Sequence, residues 1–279
     1  MIAILLNPYA GRRKSKSILA TIEKILINEE IPFASFIGSW PADYSKYNQV
    51  WLIGGDGTLN YFVNNYDCRN IPLALFKGGT GNDFAWKLYG NCSTSEQVLK
   101  ILAAEPRAVD AGICNGKYFL NTLGIGFDGR VLSMMHTIRW LGNLVGYYLA
   151  IIRMIFSYRE PAFSITKNGG KPVIRKLLLL LLSNSSRTGG GFLVSPMAEP
   201  DDGLLDLVTC EPLNIVHRLR VLPLIRTGKH LSLPFVKHEQ FTEMVVQTEI
   251  QQLAQLDGEL IFSNRFDCHI VKDKFLFLY

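Results

Sequence analysis

The residues best suited to chemistry in this 279-residue chain form a glycine-rich turn, Gly54-Gly55-Asp56-Gly57-Thr58. The turn follows the apolar segment Val50–Ile53 and leads into a predicted helix. Because glycine lets backbone N–H groups approach a ligand and a helix N-terminus attracts anions, this pattern predicts a site for phosphate oxygens. Asp56 would act there through Mg²⁺ and its waters, or as an acceptor for loop amides. A plain strand-to-helix turn with an Asp cap is the less favoured alternative.

Two further polar turns follow predicted strands. Residues Lys77–Asp83 come after the segment Pro72–Phe76, and Asn7–Arg12 come after Ile2–Leu6. Each turn alone has an ordinary explanation as a loop with a helix cap. In an open parallel sheet, however, the loops at the carboxyl ends of neighbouring strands meet at one crevice. Three such loops therefore favour a nucleotide cleft. A basic cluster would add positive charge there, although some of its residues fit a solvated helix start equally well: Arg12, Arg13, Lys14 and Lys16.

Two different patterns of apolar residues divide the chain. From residue 1 to about 107, short apolar segments alternate with helical spacing, which predicts βαβ units and a parallel sheet. After Val109, short apolar runs are punctuated by Gly, Asn, Asp and Pro, which is typical of an antiparallel sandwich or barrel. Helical insertions are predicted near 129–157 and 213–230, and Lys176–Leu182 is predicted as one buried strand. The domain junction is expected near residue 108.

Composition is that of a globular protein, with 48% apolar and 19% charged residues. The formal net charge of +5 favours anionic partners only weakly, and we expect no nucleic-acid partner. The five cysteines are too far apart for a zinc site, and a reducing cytoplasm is the expected location. The N-terminal apolar run is too short for a signal peptide, and Trp140–Phe156 is too interrupted for a membrane span.

Seven motifs in fixed order extend over nearly the whole chain, and together they resemble the bacterial diacylglycerol kinases and sphingosine kinase-like lipid kinases. NAD kinases and phosphofructokinases are more distant relatives of this family, and the turn Gly79–Ala85 separates the lipid kinases from the NAD kinases. The motifs are Asn7–Gly11, Gly54–Asn60, Gly79–Ala85, Asn121–Val131, Gly189–Phe192, Pro196–Val208 and Leu256–Leu260.

The resemblance implies an α/β plus β fold. An N-terminal doubly wound, Rossmann-like domain of the NAD kinase and phosphofructokinase type would precede a C-terminal antiparallel β-sandwich domain. The first domain is expected to comprise residues 1–107 and 268–279, because the last strand of such kinases returns to it, and the second residues 108–267. The implied activity is that of a lipid kinase, which transfers the γ-phosphate of ATP to a hydroxyl of a diacylglycerol-like membrane lipid in the cleft between the domains.

The same resemblance assigns roles to individual residues. A structural Mg²⁺ would be held by the Asp202 side chain with the carbonyls of Glu199 and Leu204, although Asp202 also fits an ordinary hairpin turn. Glu259 is the first choice for the general base that accepts the proton of the lipid hydroxyl, with Asp257 as its catalytic neighbour. The residues expected to contact ATP are Asn7, Pro8, Gly11, Gly54, Gly55, Asp56, Gly57, Thr58, Asn60, Thr80, Asn82 and Asp83.

Several features depart from the family pattern or leave alternatives open. Tyr61, Lys77 and Trp86 replace the usual Glu, Pro and Arg, and the segment between the second strand and Gly54 is short, so a trimmed form of the usual helix is expected there. The helical insertion Met134–Tyr158, which includes Trp140, either contacts the bilayer or covers the core. A kinase for a soluble substrate such as NAD and a non-catalytic nucleotide- or lipid-binding relative are the alternatives. We expect a peripheral membrane association, and a homodimer is compatible with the sequence.

Overall fold

A computed structural model describes residues 1–11, 13–68, 70–137 and 143–279, and the chain divides into two compact units. Unit 1 comprises Met1–Asp110 and Lys272–Tyr279, and unit 2 comprises Ala111–Val271. Arg12 and Trp140, both named in the sequence analysis, lie outside the described residues.

Unit 1 alternates strands and helices as the apolar spacing predicts, and the predicted strands Ile2–Leu6, Val50–Ile53 and Pro72–Phe76 are each found within one residue of their expected ends. The segment between the second and third strands, residues 38–48, contains no helix, in place of the trimmed helix that the sequence predicts. The elements are β1 (Ile2–Leu6), α1 (Arg13–Asn28), β2 (Phe33–Ile37), β3 (Gln49–Gly54), α2 (Asp56–Asn65), β4 (Leu73–Lys77), α3 (Asp83–Tyr89) and α4 (Thr94–Ala103).

The strands of unit 1 form a parallel sheet. β1 pairs with β2 on one side and with β3 on the other, and β3 pairs with β4. All five residues of β1 are buried, and since successive side chains of a strand point to opposite faces, both faces of the sheet are covered. From β1 the chain continues to β2 on one side of the sheet, and from β3 it continues to β4 on the other side. The loops after β1 and β3 therefore lie at the topological switch point, where open α/β sheets bind ligands.

Unit 2 is built on an antiparallel sheet with the strand order β12-β11-β10-β7-β13-β14. β8 pairs with the first part of β13, on the edge opposite β14. Its core is rich in phenylalanine and leucine. The elements are β5 (Pro106–Cys114), β6 (Lys117–Phe119), β7 (Thr122–Ile125), α5 (Phe127–Thr137), α6 (Asn143–Ser157), β8 (Ala162–Lys167), β9 (Val173–Lys176), β10 (Leu179–Ser183), β11 (Leu205–Cys210), α7 (Ile215–Arg226), a 3-10 helix (Lys229–Ser232), β12 (Val236–Phe241), β13 (Glu243–Leu256) and β14 (Glu259–Leu278).

The buried strand predicted over Lys176–Leu182 is found, but it starts later than expected, because β10 begins at Leu179. Lys176, the first residue of the predicted run, is instead the exposed last residue of β9. The break between β9 and β10 has a topological cause, because β9 pairs with β8 whereas β10 pairs with β7 and β11. The chain therefore has to change neighbours between the two strands.

The boundaries of the units differ from the expected domain boundaries by three residues near 107 and by four near 268. Both observed boundaries fall inside continuous strands, β5 and β14, so no turn residue marks them in the sequence. The end of β14 pairs in parallel with β4 at Phe277 and Leu73, within unit 1. Among the described residues, no helix is both long and apolar enough to cross a bilayer.

Candidate functional site

The three glycine-rich loops of unit 1 are locked together by backbone contacts. The Gly78 amide donates to the Gly54 carbonyl at 2.8 Å. A Cβ atom added at Gly79 would lie 2.4 Å from the Gly55 Cα, and one added at Gly11, where φ is +59°, would lie 1.9 Å from the Gly78 carbonyl oxygen. Most of these positions therefore require glycine for contact between loops, in addition to any approach of a ligand.

Side chains of the same loops strengthen this arrangement. The Asn7 amide donates to the Thr58 hydroxyl at 2.9 Å. Asn82 has a left-handed backbone and closes its own turn, because its side-chain oxygen accepts from the Gly79 amide at 2.7 Å and its Nδ2 donates to the Gly79 carbonyl at 2.9 Å. The structure thus brings the predicted residues of all three loops to one edge of the unit 1 sheet.

Asp56 links the second loop to the third. Its two carboxylate oxygens accept hydrogen bonds from the amides of Asp83 and Phe84, at 3.0 and 2.9 Å. These amides open α3, so the carboxylate caps that helix and interacts favourably with its dipole. Of the two roles considered for Asp56, acceptance from loop amides is the one seen here. A role through Mg²⁺ stays a prediction.

Burial separates the predicted nucleotide contacts into two groups. Gly57 and Thr80 are exposed, and a Cβ atom added at Gly57 would meet no atom within 4 Å. Asn60, Asn82 and Asp83 are buried. The accessible part of the loop cluster consequently comprises Thr80 and the first turn of α2 around Gly57, and the buried residues lie beneath the surface.

The three residues that depart from the family pattern, Lys77, Tyr61 and Trp86, differ in their contacts and exposure. Lys77 Nζ donates to the Gly90 carbonyl. Tyr61 is 53% exposed and makes an edge contact with Trp40, with 6.2 Å between ring centroids. Trp86 is 39% exposed.

In unit 2 the two proposed catalytic carboxylates lie in different surroundings. Asp257 and Gly258, with φ of +48° and +89°, are the central residues of the tight hairpin between β13 and β14. The Asp257 carboxylate is buried and accepts from three backbone amides, at residues 120, 121 and 122, over 2.7, 2.9 and 2.8 Å. Glu259 is exposed at the start of β14. Asp257 therefore holds the backbone in place, whereas Glu259 is accessible to a ligand.

A hydrogen-bond network surrounds this hairpin. Gln255 accepts from the Gly258 amide at 3.0 Å and donates to the Thr122 hydroxyl at 2.9 Å, and Thr122 donates to Thr188 at 3.0 Å. Gln255 also hydrogen-bonds Asp128, and burial raises the pKa of Asp128 to about 6. The sequence motif Asn121–Val131 contains Thr122 and Asp128, whereas no sequence motif contains Gln255 or Thr188.

Asp128 and Thr188 also line an apolar cavity within unit 2, which has a volume of about 90 Å³ and is partly open to solvent. Its walls come mainly from α6, α7 and β10. Arg218 lies on this wall with its guanidinium bonded to Glu160 and to the carbonyls of Ile155 and Tyr158. The apolar side chains of the wall include Tyr147, Ile151, Ile155, Leu179, Leu181, Phe192, Val221, Leu222 and Ile225.

The predicted metal loop forms a turn. Asp202 is exposed, its Oδ1 accepts from the Leu204 amide at 2.9 Å, and Gly203 has a φ of +75°. Across the described ranges, no three His, Cys, Asp or Glu side chains gather as a metal site. One carboxylate with the carbonyls of Glu199 and Leu204 is nevertheless a set of hard oxygen donors that suits Mg²⁺, and a carboxylate oxygen can accept more than one contact.

The fold class is that of kinases which join a parallel α/β unit to an antiparallel β unit. Residues 1–114 match the diacylglycerol kinase catalytic domain, and residues 121–267 match the YegS C-terminal NAD kinase beta sandwich-like domain. The chain belongs to the family defined by these two domains.

Named relatives agree with this family. A diacylglycerol kinase of Mycobacterium tuberculosis (strain CDC 1551 / Oshkosh) is 28% identical over 191 residues, which are 66% of this chain and 62% of the relative. The chain thus spans somewhat less than two thirds of that protein. A diacylglycerol kinase of Bacillus subtilis (strain 168) is 26% identical over 92% of this chain and 88% of its own. A crystal structure described as a diacylglycerol kinase from Bacillus anthracis str. Sterne has the same fold, with a TM-score of 0.74, 20% identity and coverage of 100% and 96%.

Proposed function

We propose that this chain is a lipid kinase that transfers the γ-phosphate of ATP to a hydroxyl of a diacylglycerol-like membrane lipid. The observation that carries the proposal is the apolar cavity of unit 2, at whose wall Asp128 and Thr188 provide polar groups. These two residues are joined by hydrogen bonds to the hairpin that carries Glu259. A soluble acceptor such as NAD would not require so apolar a wall.

The phosphates of ATP are assigned to the loop cluster of unit 1. The first turn of α2 offers a helix N-terminus at an accessible position, Gly57, and such termini bind anions through their amides. Asp56 supports this turn indirectly, because it fixes α3 and its loop beside it. A structural Mg²⁺, held by Asp202 with the carbonyls of Glu199 and Leu204, would stabilise the turn before β11, while the loop amides of unit 1 would provide positive charge at the transferring phosphate.

The acceptor lipid is assigned to the cavity of unit 2. Its acyl chains would contact the aliphatic and aromatic wall, since burial of apolar surface is the main driving force for binding such chains. Asp128 is the carboxylate on this wall, and it would accept a hydrogen bond from the hydroxyl while the lipid binds, before Glu259 takes up that single proton in the transfer step. The hydroxyl of the lipid would thereby be held at the polar part of an apolar site.

In the reaction, the lipid oxygen forms a bond to the γ-phosphorus while the bond between that phosphorus and the β,γ-bridging oxygen breaks, and ADP leaves. The hydroxyl proton passes to a carboxylate. We assign this role to Glu259, which is exposed, and not to Asp257, whose oxygens already accept from three amides. Asp257 instead fixes the backbone of residues 120–122, and this segment includes Thr122 of the hydrogen-bond network.

The experiment is transfer of label from γ-labelled ATP to separate acceptors by the full chain, followed by identification of the products. The acceptors are diacylglycerol, a sphingoid base, phosphatidylglycerol, an isoprenoid alcohol and NAD. Label in a lipid product that Glu259→Gln fails to form supports the proposal. Label in NAD alone contradicts the lipid acceptor, and ATP binding without transfer to any acceptor contradicts catalysis.

A further inference from the structure

The two helices that wall the cavity expose apolar side chains on their outer surfaces. On α6, Leu149, Ile152 and Phe156 are 44%, 42% and 59% exposed. They are spaced three and four residues apart, which places them on one helical face. The opposite face of α6 carries Ile151 and Ile155, which are buried and line the cavity. The exposed stripe is therefore not the core-facing side of the helix.

α7 repeats this arrangement. Its exposed apolar residues are Ile215, Val216 and Leu219, with 41%, 54% and 43% exposure. Its Val221 is buried and lines the cavity. α7 thus exposes three apolar side chains to solvent beside the exposed basic residues Arg220 and Arg226, whereas soluble helices usually place polar residues on that side.

Hydrogen bonds join the two helices at both ends. Arg218, near the start of α7, donates to the carbonyls of Ile155 and Tyr158 at the end of α6, at 2.9 and 3.1 Å. Arg226, at the end of α7, donates to the Tyr148 hydroxyl near the start of α6 at 3.0 Å. The helices are consequently antiparallel neighbours. We call their outer surface, which comprises Leu149, Ile152, Phe156, Ile215, Val216 and Leu219, the α6–α7 face.

The charge around the α6–α7 face has one sign. Of the two acidic residues in the segments 143–160 and 211–230, Glu160 is bonded to Arg218 and Glu211 is the other. The exposed basic residues of these segments are Arg153, Arg159, Arg220, Arg226 and Lys229. Apolar residues flanked by cations are the composition of surfaces that rest in the headgroup region of anionic bilayers.

We infer that the α6–α7 face docks this protein on an anionic phospholipid bilayer. Six large apolar side chains exposed on two neighbouring helices favour an interaction surface over an ordinary solvated one. A symmetric contact between two copies through this face would place cations of one copy against cations of the other, which disfavours it. α6 has 15 residues and α7 has 12 with an internal Pro223, so each would lie in the interface and not cross it. The inference rests on the proposed function only in that the docked helices wall the lipid cavity.

The test is co-sedimentation of the full chain with sucrose-loaded vesicles. Vesicles of phosphatidylglycerol and phosphatidylcholine are compared with vesicles of phosphatidylcholine alone, at low and high NaCl. We expect binding that needs phosphatidylglycerol and weakens with salt, because cations contribute part of the attraction. The double substitution Ile152→Glu with Phe156→Glu should reduce binding by about tenfold or more, since two apolar contacts are lost and two negative charges are added.

The matched control is Ile174→Glu on β9, where an isoleucine that is 74% exposed lies away from both helices. This control should bind vesicles like the parent chain. Equal binding by the parent and the double variant overturns the inference. The inference is also overturned if the parent chain binds neither vesicle type and sediments as a dimer, and if the double variant sediments as a monomer.

A second readout separates this inference from the proposed function. With short-chain diacylglycerol dispersed in detergent micelles, the double variant should phosphorylate at the parental rate, but on vesicles it should lose activity in proportion to binding. Activity lost equally in micelles and on vesicles contradicts a docking role for the face. If the parent chain phosphorylates no lipid at all, the proposed function fails while vesicle binding still decides the docking surface.

Discussion

Asp128 gives the sharpest prediction, because its carboxylate is expected to destabilise the fold that positions it. Burial beside an apolar cavity raises the pKa of Asp128 from 3.8 to about 6. Asparagine has the same shape but no charge. We therefore predict that Asp128→Asn makes the protein more stable near neutral pH while it lowers transfer to lipid, since the neutral amide is a weaker acceptor for the hydroxyl.

The size and pH dependence of the effect follow from the two pKa values. Below about pH 3.8 the carboxyl is protonated in both the folded and unfolded chains, and it has no pH-dependent effect on stability. As pH rises from about 3.8 to 6, the unfolded chain loses the proton and the folded chain keeps it, so stability falls. A difference of about two pH units corresponds to about 3 kcal/mol above pH 6. Because the substitution also weakens the bond to Gln255, the expected gain is about 1–3 kcal/mol at pH 7.5.

The assay is urea unfolding at pH 7.5 and pH 4.5 for the parent chain, Asp128→Asn and Asp257→Asn. Asp257 is the matched contrast, since its carboxylate accepts three amides at 2.7–2.9 Å. Asp257→Asn should lower the free energy of unfolding by about 2 kcal/mol or more at pH 7.5, because amides are left without acceptors. Two neighbouring carboxylates should thus give effects of opposite sign. An Asp128→Asn variant that is less stable than the parent at pH 7.5, or equally stabilised at both pH values, would refute the reasoning.

Three further predictions concern the loops and the base. Gly57→Ala adds a Cβ that meets no protein atom, so unfolding should be unchanged or slightly harder while ATP affinity by calorimetry falls; unchanged affinity would remove Gly57 from the phosphate site. Gly79→Ala places a Cβ 2.4 Å from the Gly55 Cα and should cost about 1–3 kcal/mol in urea unfolding, and an unaffected variant would contradict the locked loops. Glu259→Gln should keep ATP affinity and reduce turnover by about 10² or more, whereas near-parental turnover would make the base assignment wrong.

The sequence predicted the elements of unit 1 well because their signals are local. A continuous apolar run such as Ile2–Leu6 has to be buried on both faces, and apolar residues with helical spacing, as in α1, lie on one face of a helix. The family motifs then named candidate residues in each unit, whose roles stay predictions. The fold prediction is confirmed by the two domain matches and by the structural neighbour.

The details that the sequence missed depend on contacts between distant residues. Gln255 and Thr188 reach Thr122 from positions 133 and 66 residues away, and no local spacing indicates such a meeting. Asp56 likewise finds its amide partners 27 and 28 residues later. The Asp257 turn was different, since Asp-Gly between two apolar segments is a strong hairpin signal that could have been read locally. Its three amide donors could not.

The most direct test of the central claim is transfer of the γ-phosphate of ATP to long-chain diacylglycerol by the parent chain and by Leu222→Trp, which fills the cavity from α7. Calorimetry with ATP and urea unfolding verify that the variant still folds and binds nucleotide. We predict labelled phosphatidic acid from the parent chain and at least about a tenfold loss with Leu222→Trp, at unchanged ATP affinity, because the acyl chains lose their space. A parent chain that labels NAD and no lipid, or a filled cavity that leaves transfer to long-chain diacylglycerol unchanged, would contradict the account.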